Sequence, residues 1–179
     1  CAHKSPGVSQ LKASDFSKYG KIAVIKFDSV EFPVSGQEAA NLLSLAFMQK
    51  GYRVIDASNV LASADQEKLY TGVLTRDINT KFNNQGVDTI VLGAIHDYSC
   101  ETVANWLLSL FQIDAYRTYC RVSVTVKMVK LDSGEILWGV SRSEEEAGSD
   151  IDAGDVLRDV IHSLEDEIPA DTTKQPAEQ

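Results

Sequence analysis

Hydrophobic positions are concentrated between residues 87 and 142, and their pattern predicts three consecutive strands. Residues 87–99 are apolar on both faces, which is typical of a strand buried between two layers. The next strand alternates between apolar and polar residues, which indicates one buried face and one wet face. Its apolar set is Val122, Val124, Val126 and Met128, and its polar set is Arg121, Ser123, Thr125 and Lys127. A tight turn at 132–135 leads into the third strand, so we expect the rest of the chain to pack on this sheet.

The sequence before this region predicts a strand followed by a helix. Lys21–Asp28 is a short run rich in Ile and Val, which predicts a buried strand. Ser35 and Glu38 have the spacing of a capping box, so the helix should begin at Ser35 and end near Gly51. Its apolar positions form one stripe, which comprises Ala39, Leu42, Leu43, Ala46 and Phe47. This stripe should cover one face of the sheet.

A second strand and two more helices lead up to the central region. Tyr52–Asp56 predicts the strand, and Ala57–Lys68 predicts a weakly apolar helix. A further helix is predicted over Thr71–Gln85, where apolar residues recur at every fourth position, and Gly86 should cap it.

The last predicted element is a helix over Asp152–Ile168, with an apolar stripe on one side and carboxylates at its start. Residues 169–179 have no apolar periodicity and should be disordered. The predicted organisation is a tether at 1–20, one domain at 21–168 and this tail. We expect a single α/β domain of three layers, with a mixed sheet that opens strand, helix, strand, helix, strand and continues with antiparallel strands and a C-terminal helix.

Length and charge narrow the classes of function. A chain of 179 residues with 44% hydrophobic residues can bury one good core. Lys plus Arg total 17 against 26 Asp plus Glu, and the formal charge of -9 argues against nucleic acid as a partner. No apolar run reaches the roughly 18 residues that a membrane-spanning helix needs.

The first residue of the sequence is Cys1. A mature chain that begins with cysteine is what signal peptidase leaves on a bacterial lipoprotein, whose thiol and amine carry acyl chains. We therefore expect Cys1 to hold the protein in a lipid bilayer, with the polar segment 2–20 as a tether. In a Gram-negative host, Ala2 in place of Asp implies the outer membrane, facing the periplasm. The alternative is an arbitrary truncation that happens to start on cysteine.

No arrangement of residues in the sequence indicates catalysis, a metal site or a cofactor. His3, His96 and His162 are far apart, without Cys or His at the spacing of a metal site. His96 and Asp97 beside Ser99 could suggest hydrolysis, but neighbours on a regular strand point to opposite faces. The glycines form no phosphate-binding loop. We expect a protein that is not an enzyme and needs no cofactor.

Cys100 and Cys120 stand at the two ends of the segment between the first two strands of the central region. If these strands form a hairpin, the two residues can face each other within the Cα distance that a disulfide needs. An exported protein meets oxidising conditions, and a bridge closing about 20 residues would contribute ~3 kcal/mol in the chain-entropy model. The alternative is a pair of free, buried thiols.

The connection Glu101–Ala115 is unusually apolar for a loop, because loops normally run over the surface. Three ways of burying it are open: a short helix folded back on the sheet, a contact with another subunit or partner, or insertion into the lipid interface. Tryptophan is common at protein contacts and at membrane interfaces alike. The predicted interaction or membrane contact is made by Trp106, Leu107, Leu110 and Phe111.

Three stretches resemble motifs of one known family. They are KIAVIKFD at 21–28, GVDTIVLGAIHDY at 86–98 and VTVKMVKLDSGEIL at 124–137, of which the third is the most specific. Together with Cys1, the chain resembles the CsgG and LpoB group of bacterial envelope lipoproteins over residues 21–168. The resemblance implies a small α/β domain of the anticodon-binding type, anchored by lipid, that contacts proteins or assembles into rings without catalysis.

The function that we expect is that of an accessory or scaffold protein for an envelope machine, such as a secretion channel, a surface appendage or a cell-wall synthase. Its partners would be the bilayer and either an envelope protein or further copies of itself. The alternative is a small-ligand or nucleotide-binding module, because the wet face of the second strand could receive a ligand.

Overall fold

The computed structural model describes residues 21–29, 33–70, 75–104 and 116–169. In these ranges the chain forms five strands and four α-helices. In chain order they are β1 (Ile22–Val24), α1 (Pro33–Gln49), β2 (Val54–Asp56), α2 (Ser63–Tyr70), α3 (Arg76–Asn84), β3 (Thr89–Ala104), β4 (Tyr116–Lys130), β5 (Ile136–Gly148) and α4 (Ala153–Glu165).

One open sheet contains all five strands, in the order β2-β1-β3-β4-β5. β1 runs parallel to both β2 and β3, whereas β3, β4 and β5 are antiparallel neighbours. The single α/β domain with a mixed sheet and a C-terminal helix that the sequence predicts is therefore confirmed.

Helices cover the two faces of the sheet unequally. On one face, α1 packs over β1 and β2, and α4 packs over β4 and β5, with one continuous core beneath them. On the other face, α2 and α3 bury a smaller core against β1 and the start of β3. Beyond that smaller core, the second face of β3, β4 and β5 has no helix on it among the described residues.

The alternation predicted for β4 is confirmed. Its apolar residues Val122, Val124, Val126 and Met128 are fully buried under α4, and its polar residues Arg121, Ser123, Thr125 and Lys127 are exposed or half-buried on the uncovered face. Because side chains alternate between faces at every residue of a strand, one strand can complete the core and present a wet surface at once.

The start of α1 differs from the prediction. The helix begins at Pro33, so Ser35 lies in its first turn and is buried, with its Oγ 3.4 Å from the Oγ of Ser29. Proline is favoured at the start of a helix because its missing N–H would have no partner there. Gly36 permits the close approach of this turn to the end of β1, because a Cβ on it would lie 2.4 Å from the carbonyl oxygen of Phe27.

The helices between β2 and β3 also begin later than predicted. After β2 the chain makes a short 3-10 turn at Ala57–Asn59, and Asp56 caps it by accepting a hydrogen bond from the N–H of Ser58. An aspartate side chain that bonds to the backbone two residues on favours a turn over a helix. The next helix starts at Arg76 behind the cap Thr75, and Gly86 follows its end with a φ of 72°.

The C-terminal helix matches its prediction closely. Asp152 caps α4 by accepting a 2.9 Å hydrogen bond from the N–H of Asp155, and Leu157, Val160 and Leu164 are fully buried. Most of the predicted tail, residues 170–179, lies outside the described residues, as does the predicted tether at 1–20.

Candidate interaction surface

The ends of β3, β4 and β5 form a three-stranded ribbon that extends past the parallel half of the sheet. We call residues 95–104, 116–126 and 140–148 the distal ribbon. Pairing between β1 and β3 ends at Val91, and one further bridge joins Asp28 to Ala94. From Asp97 to Ala104, β3 pairs only with β4 among the described residues, whereas the N–H of Ile95 still donates to the carbonyl of Asp28 at 2.8 Å. Within the described ranges, the ribbon therefore has two open edges, one on β3 and one on β5.

A disulfide joins two neighbouring strands of the ribbon, the edge strand β3 and the central strand β4. Cys100 and Cys120 are direct partners in the antiparallel register of β3 and β4, and their sulfur atoms are bonded. The Cα atoms are 4.1 Å apart, slightly less than the usual span of about 4.4 to 6.8 Å. Cys120 is fully buried, whereas Cys100 is exposed.

The tip of the ribbon exposes apolar side chains. Val103, Tyr116 and Tyr119 are 53%, 68% and 39% exposed, respectively. The predicted connection Glu101–Ala115 begins too early, because residues 101–104 continue β3 and pair with residues 116–119 of β4. Thr102 and Val103 are β-branched, and this signal for a strand was present in the sequence.

The predicted contact residues at this tip, which are Trp106, Leu107, Leu110 and Phe111, lie outside the described residues, as does Cys1. Contact through these four side chains and acylation of Cys1 therefore stay predictions.

A β-bulge changes the surroundings of His96. The register of β3 against β4 shifts between Ile95 and Asp97, so the extra residue His96 is inserted in the strand. Its Nε2 lies 2.9 Å from the Oγ1 of Thr125 on the wet face, and Asp97 pairs with Ser123 of the same face. The expectation that His96 and Asp97 point to opposite faces is wrong, because a bulge breaks the alternation of a regular strand.

The bulge nevertheless does not assemble a nucleophile and a base. Ser99 donates its hydroxyl hydrogen to Oδ1 of Asp97 at 2.7 Å, while His96 is engaged with Thr125. Thr125 in turn lies 3.1 Å from the hydroxyl of Ser141 on β5. These contacts form a polar network across three strands, which is the usual content of the solvated face of an antiparallel sheet.

An ion pair completes the wet face of the ribbon. The guanidinium of Arg121 on β4 contacts the carboxylate of Glu145 on β5, directly across the strand pair. This hydrogen-bonded contact raises the pKa of Arg121 above its ordinary value. Arg121 therefore remains a cation that is already neutralised by its neighbour.

A groove of about 780 Å³ follows the open edge of β3. Its lining includes Asp28, His96, Asp97, Tyr98 and Ala153. Burial, followed by the nearby carboxylates of Glu38 and Asp152, raises the pKa of Tyr98, so this phenol is neutral at physiological pH.

Two further properties concern metals and membranes. In the described ranges, no three or more His, Cys, Asp or Glu side chains are grouped so that they could hold a metal ion. Likewise, none of the helices seen in those ranges has the length and apolar character needed to cross a bilayer.

Comparison with known proteins reveals likeness in structure but not in sequence. No family model matches the chain, and no curated protein matches it. A subunit of the PelC dodecamer from Paraburkholderia phytofirmans matches with a TM-score of 0.64 and 16% identity, over 92% of this chain and 98% of that chain. A second crystal form of the PelC dodecamer matches with a TM-score of 0.59 and 15% identity, over 88% and 93%.

A lipoprotein has the same fold. Lipoprotein GNA1162 from Neisseria meningitidis matches with a TM-score of 0.51 and 18% identity, over 83% of this chain and 96% of that chain. The C-terminal domain of LpoB from Salmonella enterica also matches, but its TM-score of 0.36 at 10% identity is too low to support an argument. The chain thus has the fold of the PelC subunit and of GNA1162 along most of its length.

Proposed function

We propose that this chain is a non-enzymatic scaffold protein of the bacterial envelope, which works by binding further copies of itself or an envelope partner. One observation carries the proposal: the fold covers 92% of this chain and 98% of a protein that was crystallised as a dodecamer. A domain that shares its fold with a dodecamer subunit, and whose sheet has open edges among the described residues, is suited to assembly with further copies.

The disulfide supports an envelope location. Disulfides persist in the periplasm and outside the cell, and they are rare in the reducing cytosol. Cys100 and Cys120 are bonded directly across two strands. The structural match to GNA1162, which is described as a lipoprotein, agrees with this compartment. Attachment to the outer membrane through an acylated Cys1, facing the periplasm, is part of the proposal.

The distal ribbon supports action by protein contact. An unpaired strand edge presents backbone N–H and C=O groups to solvent and is a template for another chain. Two such edges flank this ribbon, and its tip exposes Val103, Tyr116 and Tyr119. Trp106 and its apolar neighbours are the proposed continuation of that surface. A secretion channel, a surface appendage or a cell-wall synthase would each be a suitable machine.

Cross-linking in cells tests this proposal. The chain, fused to an export signal and a tag, is expressed in a Gram-negative bacterium and treated with a membrane-permeant cross-linker. We expect covalent products at multiples of the mass of the tagged chain, which is 19.6 kDa plus the tag, or one discrete product with an envelope protein. Recovery of the exported chain only as a monomer, under conditions where a known envelope oligomer is cross-linked, would contradict the proposal.

The groove beside β3 favours a second candidate, a small-ligand-binding module. Its volume of about 780 Å³ is in the size range of many ligand sites, and its lining includes polar side chains such as Asp28, His96 and Asp97. A ligand that binds the native state must raise its apparent stability by mass action. A thermal-shift screen with nucleotides, sugars and small anions checks this candidate, and a reproducible rise in Tm with one class would favour it over the scaffold.

A further inference from the structure

Cations lie before the starts of β1 and β2, and carboxylates lie near the end of β5, on the other side of the sheet. At one edge, Lys21 precedes β1, and Arg53 precedes β2. These two cations lie side by side, because the N–H of Ile22 donates to the carbonyl of Arg53 at 2.9 Å. Lys50 lies in the turn that joins α1 to β2. We call Lys21, Lys50 and Arg53 the basic corner.

No carboxylate forms an ion pair with the basic corner in the part of the chain that the structure describes. Lys21 donates to the backbone carbonyl of Gln85 at 3.0 Å, and this acceptor carries no charge. Arg53 is exposed, and Lys50 is half-buried. The corner therefore presents net positive charge on a protein whose total charge is -9.

The opposite edge of the sheet is acidic. Glu144 and Glu146 lie on β5, on the face that α4 covers, and Asp159 of α4 is close to Glu146. The contact with Asp159 is the main reason that the pKa of Glu146 is raised. We call Glu144, Glu146 and Asp159 the acidic corner. Within the described ranges none of the three forms an ion pair, whereas nearby Asp155 is paired with Arg158 at 2.9 Å.

The two corners lie diagonally across the sheet from each other. Ile22, beside the basic corner, aligns with Thr89 of β3, and Glu146 aligns through Cys120 with Cys100 of the same strand. Thr89 and Cys100 are 11 residues apart on β3 (100 minus 89), which corresponds to roughly 35 Å along the strand. A single copy cannot bring its own corners together, but one copy can offer its acidic corner to the basic corner of the next.

We propose that copies of this chain associate head to tail, with the acidic corner of one copy, at β5 and α4, seated against the basic corner of the next, at β2 and the end of α1. This inference rests on the proposed function, in that it specifies the contact by which copies assemble. The occupant of each corner is a second copy because its complement is present on the same chain, in equal number and on the opposite edge.

Such a contact joins two different surfaces, so a pair of copies retains one free corner at each end. Repetition of a contact of this kind closes into a ring when the rotation between neighbours permits, and otherwise continues as a filament. Opposite charge also overcomes the repulsion that chains of net charge -9 exert on one another. Raising the salt concentration should screen this contact, because exposed charges interact over only about 10 Å at 0.1 M salt.

Charge reversal at each corner separately is the test. The first variant carries Glu144→Lys and Asp159→Lys, and the second carries Lys50→Glu and Arg53→Glu. We expect each variant alone to self-associate at least tenfold more weakly than the parent by sedimentation velocity, because each now sets like charges against each other. An equimolar mixture of the two should regain the parent's assembly, since the reversed corner of one complements the reversed corner of the other.

Matched controls exclude a general effect of charge or of misfolding. Asp77→Lys with Glu135→Lys, and Arg76→Glu with Lys127→Glu, change the net charge equally at exposed sites away from both corners. These controls should assemble like the parent, and every variant should keep the parent's Tm within a few degrees.

Each outcome has a distinct meaning. If the parent assembles and both corner variants assemble equally well, or if mixing them restores nothing, the head-to-tail contact is wrong and the scaffold function stands. If the parent itself stays monomeric, and no envelope partner is cross-linked to it, both proposals are wrong.

Discussion

Cys100 and Cys120 are bonded to each other at directly opposed positions of β3 and β4, with Cα atoms 4.1 Å apart. The bond fixes the register of the distal ribbon at the point where the layer of helices ends. Beyond it, only four more residue pairs of the two strands are described, from Glu101 with Tyr119 to Ala104 with Tyr116. The tip that we propose as a contact surface is therefore attached to the core by a covalent cross-link.

Removal of this bond should destabilise the domain. In the chain-entropy model, a bridge between residues 20 apart in sequence contributes about 3 kcal/mol. We expect the double variant Cys100→Ala, Cys120→Ala to have a free energy of unfolding that is lower by about this amount, measured by urea denaturation of the oxidised proteins. Cys1→Ala is the matched control and should unfold like the parent. Equal stability of the double variant and the parent would show that the bond does not constrain the fold.

Gly93 should tolerate no side chain. A Cβ at this position would lie 2.3 Å from Cζ of the buried Phe27 ring, so alanine must displace the ring or the strand. We expect Gly93→Ala to lower the free energy of unfolding by about 1–3 kcal/mol, the typical cost of overpacking a core. Gly139→Ala is the control on β5, where the nearest atom to a Cβ is 3.6 Å away, and it should be neutral. Similar losses in both variants would contradict this reading of the Phe27 contact.

Glu146 should give the domain a pH-dependent stability. Its carboxyl has a pKa above the ordinary value of 4.5, first because of the hydrogen bond with Asp159 and then because of burial. The folded state thus holds this proton more tightly than the unfolded state does, so stability is lost as the pH rises through the folded-state pKa. Glu146→Gln should raise Tm near neutral pH. This gain in Tm should disappear when the pH falls below the ordinary pKa of a glutamate carboxyl group.

Glu145→Gln is the control for that experiment, because it removes the partner of Arg121 and should bring no gain in Tm. A gain for Glu146→Gln that is the same at both pH values would show that the repulsion between Glu146 and Asp159 is not its source.

The exposed residues at the ribbon tip should matter for contact and not for folding. Val103 and Tyr119 are 53% and 39% exposed, so Val103→Ser with Tyr119→Ser should change the free energy of unfolding by no more than about 0.5 kcal/mol per site. The same variant should reduce cross-linking in the envelope. Val34→Ser, at an 82% exposed site on α1, should leave cross-linking unchanged. Unaltered cross-linking of the tip variant would exclude the tip as a contact.

Most of the fold could be predicted because apolar residues recur along the strands and helices with a clear period. The alternation from Val122 to Met128 and the stripe of α4 both reflect burial on one side only, which the sequence records directly. The start of α1 was predicted at Ser35, because the capping-box spacing competed with Pro33, whose fixed φ and missing N–H favour the first turn. Local signals of similar strength cannot be ranked without the tertiary contacts that bury Ser35.

Less of the candidate surface could be predicted. The pairing of Cys100 with Cys120 follows from a hairpin, and the sequence indicated that hairpin. The bulge at His96 has no marker in the sequence, because it depends on how β3 must bend to remain paired with β4. The positions of the basic and acidic corners could not be predicted either. Residues 50–53 and 144–159 lie at opposite corners because of the strand order β2-β1-β3-β4-β5, which is known only from the folded structure.

The mass of the purified, oxidised protein in solution tests the central claim most directly. Sedimentation velocity at micromolar concentration and low salt should show a discrete species at a multiple of 19.6 kDa, which dissociates as salt is added. A single species of 19.6 kDa at every concentration and salt level, together with an absence of envelope partners in the cross-linking experiment, would contradict the claim that this chain acts by assembly.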